Sequence, residues 1–475
     1  MNKRSFLSRY IGDKAYYSMV LALIVPIIIQ NGISNFVNLL DNLMVGAAGQ
    51  NQMNGVSISN NLFFVFNLCV FGGMSGATIF AAQFYGAHDI EGVKHTFRFS
   101  LIVGAVVSAA ALVIIGFFRE QLISLWINID PNAPDYEQLL KDAEETLEAG
   151  KQYSAIILLS LVPYALTNAY AGVLRTCGET KLPMYASVAG VITNCVLNYI
   201  LIFGYLGFPA MQAKGAAIAT VISRYVEVFI IVIVSHKRGK TEENYRFLVG
   251  AYRDFKIPKS LLKTITVKGS PLLLNECLWS LGMTMLSNQY SMKGLVVVAA
   301  VTINSTISNL FNVFFISMGT ASAVLVGRSL GANDADGARD NARKIIVFEE
   351  FICIATCAVL LLSAGILPNI YTKTTLEARA LASRLIRVSA LALPLSGFAH
   401  CTYFTLRAGG KTFITFLFDS VYTWVCPVPL AWALVRFTSL DIVAIFAMCN
   451  FIEIVKDVFG YILLKKGVWI HNIVE

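Results

Sequence analysis

Acidic side chains inside long apolar stretches are the residues of this 475-residue chain whose chemistry is most informative. Asp41 closes an apolar stretch that begins near residue 15, and Glu276 lies deep in a later one. A carboxyl group in such a place can bind a cation or exchange a proton, so it is a functional candidate by default. Asp41 fits an ordinary solvated acid at a helix end equally well. Glu276 is either neutral among apolar groups or faces a cavity where it attracts a cation.

Two amide side chains form a second candidate group. Asn194 and Asn198 are four residues apart in one apolar stretch, so a helix places them on the same face. They either point together into a polar interior or hold neighbouring helices together by hydrogen bonds. Arg224 and Glu227, three residues apart, most simply neutralise each other as a structural pair.

Pro26 stands near the middle of the first apolar stretch. Proline lacks the backbone N–H that an α-helix needs, so a bend is expected there. We predict that Pro26 is a hinge; a static kink is the alternative.

A nucleotide site is excluded although "LRAGGKT" (406–412) ends like a phosphate-binding loop. Such a loop needs a glycine five residues before Gly410, and Thr405 stands there. A second copy, "LRTCGET" (174–180), has Glu179 in place of the phosphate-binding lysine. The chain has no HExxH motif, and of its five histidines only His400 lies well inside an apolar stretch. We therefore expect neither an enzyme nor an organic cofactor.

The composition predicts the elements that position these residues. The chain is 56% hydrophobic and 14% charged, with a mean hydropathy of +0.65. A membrane-spanning helix needs about 20 mostly apolar residues, and about twelve such stretches are present. They are continuous and longer than the strands of a membrane barrel. The sequence predicts an all-α integral membrane protein with twelve transmembrane helices.

Charge predicts how the helices are oriented. Most of the 37 lysines and arginines lie in segments that face one side if the chain starts inside the cell, so both termini are expected in the cytoplasm. Anionic lipid then accounts for the net charge of +8 without nucleic acid. The segment 128–151 is acidic and is expected to form a short amphipathic helix on the outer surface, either as a solvated cap or as an attractor of cations.

An internal repeat divides the chain. The stretch 73–94 aligns with 318–339 through "GAHD" and "GAND", and Pro26 aligns with Pro271. Six spans separate the copies, so both halves cross the membrane in the same sense and are related by a pseudo-twofold axis along the membrane normal. We predict two six-helix lobes, 1–236 and 261–475, joined by a basic cytoplasmic linker, 237–260. The "LRTCGET" and "LRAGGKT" turns become cytoplasmic connections whose arginines and lysines face lipid.

Several stretches in order resemble the multidrug and toxic compound extrusion family, a branch of a superfamily that also contains flippases of lipid-linked oligosaccharides. They are "NLLDNLMVG" (38–46), "GATIFAAQFYGAHD" (76–89), "LRTCGETKLP" (174–183), "NCVLNYILIFG" (194–204), "GAAIATVISR" (215–224), "GSPLLLNECLW" (269–279) and "LVGRSLGAND" (325–334). The resemblance implies an antiporter that expels lipophilic, often cationic, compounds in exchange for H+ or Na+, without ATP. A flippase for a lipid-linked precursor is the alternative; its cationic cavity fits poorly with in-span candidates that are mostly acidic or neutral.

The resemblance also implies an ion site. The family's ion-coupling positions match Asp41, Asn194, Asn198 and Thr220 here. This chain departs at Asn198, where an acid is often found, so Na+ bound by Asp41, Asn194 and Asn198 and a proton on Asp41 alone both stay open. Pro26 would transmit the change, and Glu276 is the cavity candidate of the C-terminal lobe. We expect a monomer in the plasma or inner membrane that contacts small-molecule substrates and the bilayer.

Overall fold

The structure is a computed structural model that describes residues 10–127, 136–371 and 374–474. Regular structure in these ranges is helical, without strands, which confirms the all-α prediction. The helices of the N-terminal half are α1 (Lys14–Ala48), α2 (Gln50–Gly86), α3 (Ile90–Ser124), α4 (Tyr136–Ile157), α5 (Leu161–Thr176), α6 (Lys181–Phe203) and α7 (Gln212–Arg238).

The C-terminal half has shorter helices near its end. They are α8 (Lys259–Ser291), α9 (Leu295–Gly331), α10 (Ala335–Ser363), α11 (Leu376–Ala408), α12 (Thr412–Phe416), α13 (Tyr422–Val425), α14 (Pro427–Phe437), α15 (Ile442–Phe451) and α16 (Glu453–Lys466). A π-helical turn, Leu417–Val421, joins α12 to α13. Hydropathy does not reveal such interruptions of a helix within a predicted span.

Ten helical stretches among the described residues are long and apolar enough to cross a membrane. The chain is therefore a multi-pass membrane protein. One of the ten covers both α4 and α5. Helix α8 and the α15–α16 pair are not among the ten, but they occupy the other two apolar stretches that the sequence predicts as spans, 261–289 and 439–463. The helix expected within 128–151 is present from Tyr136 onward, but it is longer than expected, because α4 continues to Ile157. Residues 128–135 lie outside the described ranges.

The chain divides into two compact units. Unit one contains Met1–Ile28, Ile79–Gly92 and Lys263–Glu475; unit two contains Ile29–Thr78 and Val93–Leu262. Helices α1 and α2 each contribute residues to both units. These units are defined by contacts within one structure. The predicted lobes, 1–236 and 261–475, concern the parts that move during transport and stay a prediction.

The two copies of the repeat have the same local geometry. His88 and Asn333 both adopt the left-handed backbone region, with φ of 59° and 57°. The next residue then caps a helix: Asp89 Oδ1 accepts a hydrogen bond from Gly92 N at 2.9 Å, and Asp334 Oδ1 accepts one from Gly337 N at 2.8 Å.

Repeat-related glycines let the ends of two helices cross within unit one. A Cβ on Gly86 would overlap the carbonyl oxygen of Arg328, and a Cβ on Gly331 would overlap the carbonyl oxygen of Gln83. Glycine at both positions therefore lets the backbones of α2 and α9 approach more closely than any other residue would allow.

The C-terminal residues fasten the end of α2 within the same unit. The Gln83 side chain is fully buried; its oxygen accepts a hydrogen bond from Ile473 N at 2.8 Å, and its nitrogen donates to the Ala408 carbonyl at 2.8 Å. Trp469 is buried beside them. The last residues are thus part of the packed unit.

The segment after α7 is docked onto unit two by Arg98 of α3. Its guanidinium donates to the carbonyls of Ala251 at 2.8 Å, Lys256 at 3.1 Å and Gly250 at 3.1 Å. Tyr245, in the same segment, is fully buried, and burial raises the pKa of its phenol above the ordinary value. The phenol therefore stays neutral at physiological pH, and its packing is insensitive to pH in that range.

We expect Arg98→Met to loosen this docking. Each hydrogen bond from a charged donor contributes about 2 kcal/mol, and the variant removes all three. Limited trypsin digestion in nanodiscs should then cut the segment between Gly239 and Pro258 several-fold faster than in the wild type. Arg119→Met, on the same helix, is the control and should leave the rate unchanged. An unchanged rate in Arg98→Met would mean that aromatic packing alone holds the segment.

Candidate functional site

Four polar side chains from three helices of unit two meet at one place, here called the Asp41 site. Asn198 Nδ2 donates hydrogen bonds to Asp41 Oδ1 and, at 3.1 Å, to Asn194 Oδ1. Asn194 Nδ2 contacts Thr220 Oγ1 at 3.2 Å. Both asparagines are buried, Asn198 completely. The structure thus brings together all four residues that the resemblance implied.

Close packing of α6 against α7 makes this arrangement possible. A Cβ on Gly215 of α7 would overlap the backbone of Leu201, so glycine allows the two helices to touch there. A Cβ on Gly190 would lie 3.2 Å from the Ser223 carbonyl oxygen, which is close to the limit of tolerated contacts. The asparagines, four residues apart, then share the face of α6 that meets Thr220.

The Asn194 amide can be placed in two ways, because its oxygen and nitrogen are distinguished only by their hydrogen bonds. The amide atom nearest Asp41 lies 2.9 Å from Oδ1 and 3.3 Å from Oδ2. If that atom is nitrogen, it donates to an ionised Asp41, and the amide oxygen accepts from Thr220 Oγ1 at 3.2 Å. If it is oxygen, two oxygens face each other, which requires a proton or a cation between them.

The oxygen atoms of the Asp41 site suit a hard cation. Within the described ranges, Asn198 Oδ1 is buried without a hydrogen-bond partner. Carboxylate, amide and hydroxyl oxygens are the ligands that such cations prefer. No group of three or more His, Cys, Asp or Glu residues that could hold a metal occurs among the described residues. Oxygen donors of this kind suit hard cations rather than transition metals.

Two neighbours of the site were missed by sequence reasoning. Tyr153 of α4 is buried next to Asp41 and Thr220, and its hydroxyl donates to Asn60 Oδ1 of α2 at 3.1 Å. A tyrosine and an asparagine in apolar stretches are common, so only the fold distinguishes this pair. Arg224 lies near Asp41 as well.

The predicted Arg224–Glu227 pair is confirmed. Arg224 Nη1 lies 2.9 Å from Glu227 Oε2, and its guanidinium is 5.3 Å from the centroid of the Tyr164 ring. Most of the positive charge of Arg224 is thereby balanced within its own helix.

Pro26 and Glu276 belong to unit one, whereas the Asp41 site belongs to unit two. Pro26 is a buried residue within α1, and the helix continues through it to Ala48. The boundary between the units falls after Ile28, two residues beyond this proline.

Glu276 adjoins a second buried polar group, here called the C-terminal cluster. Asn275 Nδ2 donates to Asp419 Oδ2 at 3.0 Å, and Lys456 Nζ lies 2.9 Å from Asp419 Oδ1. Tyr403 donates to Glu276 Oε1 at 3.5 Å. Asp419 stands in the π-helical turn, a feature that is frequent at functional sites.

Contrary to the expectation from the sequence, the arginine of the "LRAGGKT" turn does not face lipid. Arg407 is buried, and its guanidinium lies 5.3 Å from the centroid of the Phe404 ring. The glycines behave as predicted: Gly178 and Gly410 have φ of 86° and 70°, which allows the chain to turn sharply after a helix. Contacts of this kind with aromatic rings stabilise a buried guanidinium.

We expect Lys456→Met to destabilise the protein by about 3 kcal/mol, because it leaves the buried Asp419 carboxylate without its cation. The double variant Lys456→Met/Asp419→Asn should recover much of this loss, since it removes both charges. Thermal unfolding of the purified variants measures the difference. A double variant as unstable as the single one would show that packing of the lysine stem matters more than its charge.

A family model for MatE matches residues 26–200 and 271–433. The probable multidrug resistance protein YoeA of Bacillus subtilis is 26% identical over 429 residues, which cover 89% of this chain and 88% of the relative. The probable multidrug resistance protein NorM of Thermotoga maritima is 24% identical over 426 residues, covering 89% and 86%. Both relatives are thus matched over most of their length.

Solved structures share the fold. An outward-facing multidrug resistance MATE family transporter of the MOP superfamily superimposes with a TM-score of 0.83 at 21% identity, over 98% of this chain and 99% of the other. A MOP superfamily transporter from Pyrococcus furiosus, described as having a binding pocket of reversed polarity, gives a TM-score of 0.80 at 22% identity and the same coverage. Because the family model matches more than half of this chain, the chain belongs to the MatE family of multidrug efflux transporters.

Proposed function

We propose that this chain is a secondary active antiporter that exports lipophilic and cationic compounds in exchange for H+ or Na+. The observation that carries the proposal is the Asp41 site, where one carboxyl group accepts a hydrogen bond from the buried Asn198 amide and lies 2.9 Å from the Asn194 amide, next to a hydroxyl. A single ionisable group among neutral ligands can exchange a small cation between the two sides of a membrane. The relatives' names as multidrug resistance proteins support the substrate class.

The two positions of the Asn194 amide suggest how the site responds to its ion. An ionised Asp41 accepts hydrogen bonds from both amides. A protonated Asp41 donates to the Asn194 oxygen, and Na+ would instead be shared by that oxygen, the carboxylate and Asn198 Oδ1. The Thr220 hydroxyl changes its partner with the position of the Asn194 amide. It donates to the Ala216 carbonyl, 3.0 Å away, when the amide nitrogen faces it, and to the amide oxygen when the amide is turned. Loading the site thus changes the contacts among α1, α6 and α7.

Pro26 is proposed as the hinge that transmits this change. Helix α1 carries Asp41 in unit two and Pro26 in unit one, and the boundary lies between them. Proline removes one hydrogen bond of the helix ladder, so bending costs less there than elsewhere in α1. We further propose that the lobes 1–236 and 261–475 move relative to each other during transport. The protein acts as a monomer in the plasma or inner membrane, with both termini in the cytoplasm.

A flippase for a lipid-linked precursor is less well supported. Such a substrate carries phosphates and needs unbalanced cations. The described arginine near Asp41 is paired with Glu227, and Lys456 of the C-terminal cluster is paired with Asp419. These two cations are balanced by carboxylates, which supports a cationic or neutral cargo.

The proposal is tested by ethidium transport in proteoliposomes with separately imposed proton and sodium gradients. Transport driven by one gradient, and lost when an ionophore collapses it, is the expected result and identifies the coupling ion. Empty liposomes are the control for leakage. Ethidium movement equal to that control under both gradients would overturn the proposal and direct attention to lipid-linked substrates.

A further inference from the structure

A cleft of about 380 Å³ lies on the surface of unit one where α10, α11 and α16 meet. We call it the acidic cleft, because two carboxyl side chains contribute to an otherwise apolar lining. Its lining residues are Glu350, Pro394, Leu395, Phe398, Asp457, Val458 and Tyr461. None of them belongs to the Asp41 site or the C-terminal cluster.

Asp457 lines the cleft and makes no hydrogen bond through its carboxyl group within the described ranges. Its side chain is 8% exposed, yet neither carboxylate oxygen has a hydrogen-bond partner among the described residues. One oxygen of Glu350, Oε1, is also buried without a partner in those ranges. A nearby acid behaves differently: Glu453, one turn earlier on α16, accepts a hydrogen bond from Ser396 Oγ at 2.7 Å. The carboxylates of the cleft therefore retain capacity for a ligand.

The neighbouring residue Lys456 does not form an ion pair with Asp457. Lys456 is committed to Asp419 at 2.9 Å and lies 5.2 Å from the centroid of the Phe418 ring. Successive helix residues point about 100° apart, and neither oxygen of Asp457 accepts a hydrogen bond from this lysine, although its charge still acts on the carboxyl group through space.

The mouth of the cleft opens on an exposed apolar surface of α16, the kind of surface that suits contact with lipid. Val458 and Tyr461 are 55% and 57% exposed, and the apolar residues flanking them on α16, Ile454 and Phe459, are similarly exposed. Asp457 is about 14 Å from Lys466 at the end of α16, as estimated from the helical rise. This distance lies within the hydrocarbon half-thickness of a leaflet, about 15 Å.

Aromatic rings beside the carboxylates define the chemistry of the ligand. Phe398 lines the cleft, and Tyr461 already receives a cation, since Lys465 Nζ lies 5.9 Å from the centroid of its ring. A charge next to apolar walls suits an ion whose charge is delocalised over apolar groups, since such an ion is only weakly hydrated. A small metal ion would find too few oxygen ligands here.

We propose that the acidic cleft binds a lipophilic organic cation that enters from the bilayer. The inference rests on the proposed function, in which such cations are exported, and adds a site at which they are collected. Asp457 and Glu350 supply the negative charge, and Phe398 and Tyr461 supply ring faces for cation–π contacts. Binding removes the cost of holding bare carboxylates at a lipid boundary.

A photoreactive triphenylphosphonium and its neutral triphenylmethyl counterpart test the cleft with the full-length protein in nanodiscs. Mass spectrometry should locate the phosphonium label on residues around Phe398 and Tyr461. Asp457→Asn/Glu350→Gln should weaken phosphonium binding about tenfold, the change expected when partly exposed charge contacts are lost. Glu377→Gln, an exposed acid at the opposite end of α11, should bind as the wild type does.

A variant with the opposite effect excludes simple misfolding. Lys465→Gln removes the ammonium that competes for the Tyr461 ring and should strengthen phosphonium labelling severalfold. Equal labelling of the cleft by the neutral counterpart would overturn the proposal, because it would indicate an apolar lipid groove.

The failure of the cleft and the failure of the proposed function are distinguishable. Phosphonium transport in proteoliposomes without label at the cleft would overturn the cleft and leave the antiporter standing. A charge-dependent label at the cleft without any transport would support the cleft and contradict the antiporter.

Discussion

Asp41→Asn is expected to reduce gradient-driven drug transport to the level of empty liposomes. Asparagine has the shape of aspartate and can keep a hydrogen bond with Asn198, so the packing of α1 against α6 should survive. It carries no charge and cannot exchange a proton under physiological conditions. The cation would then lose the only carboxylate among its proposed ligands, while the neutral oxygens of Asn194, Asn198 and Thr220 alone bind it weakly.

The measurement is ethidium transport under imposed proton and sodium gradients, with thermal unfolding as the test of folding. Asp254→Asn is the matched control: it is an exposed acid of the same unit and should transport as the wild type does. Undiminished transport by a folded Asp41→Asn protein would refute coupling through this site. Glu276→Gln, which alters the C-terminal cluster, would then be the next variant to examine.

Gly331→Ala is expected to destabilise the protein by about 3 kcal/mol, at the upper end of what overpacking usually costs. The added Cβ would overlap the carbonyl oxygen of Gln83, which is a backbone atom and cannot rotate away. Relief requires the ends of α2 and α9 to separate. That movement would also disturb the buried Gln83 side chain and its hydrogen bonds to Ala408 and Ile473.

Thermal unfolding in detergent compares this variant with Gly116→Ala. Gly116 lies within α3, and a Cβ added there would have no atom within 4 Å, so alanine should be neutral or stabilising by up to about 1 kcal/mol. Gly86→Ala should resemble Gly331→Ala, because the repeat places Gly86 against Arg328 in the same way. A Gly331→Ala protein as stable as the wild type would mean that the two helix ends lie farther apart.

Much of the fold could be predicted from local patterns. Continuous apolar stretches of span length predicted the helices, since hydropathy reports how each segment partitions between water and lipid. The "GAHD" and "GAND" stretches predicted repeated turns, because Asp89 and Asp334 cap the helix that begins beside them. Such features depend on neighbours a few residues away, which is why sequence alone reveals them.

The candidate site was predicted only in part. The spacing of Asn194 and Asn198 placed both amides on one helix face, and the family resemblance added Asp41 and Thr220. Tyr153 was missed because nothing local distinguishes it from the chain's other 18 tyrosines. Its position beside Asp41 depends on α4 packing against α7, which no periodicity reports.

The sequence by itself determined the all-α membrane class, the internal repeat and the helix face that carries the two amides. Only the tertiary structure decided that Arg407 packs on Phe404 rather than facing lipid, and that Arg98 holds the segment after α7. It also decided that Asp457 borders a cleft while Asp419 is neutralised by Lys456. The physical reason is that the partners of a charge are set by distance in space. The groups around Arg98, Asp419 and Asp457 come from segments far apart along the chain, whereas Phe404 lies three residues before Arg407 and only the fold decides that this face of α11 is buried.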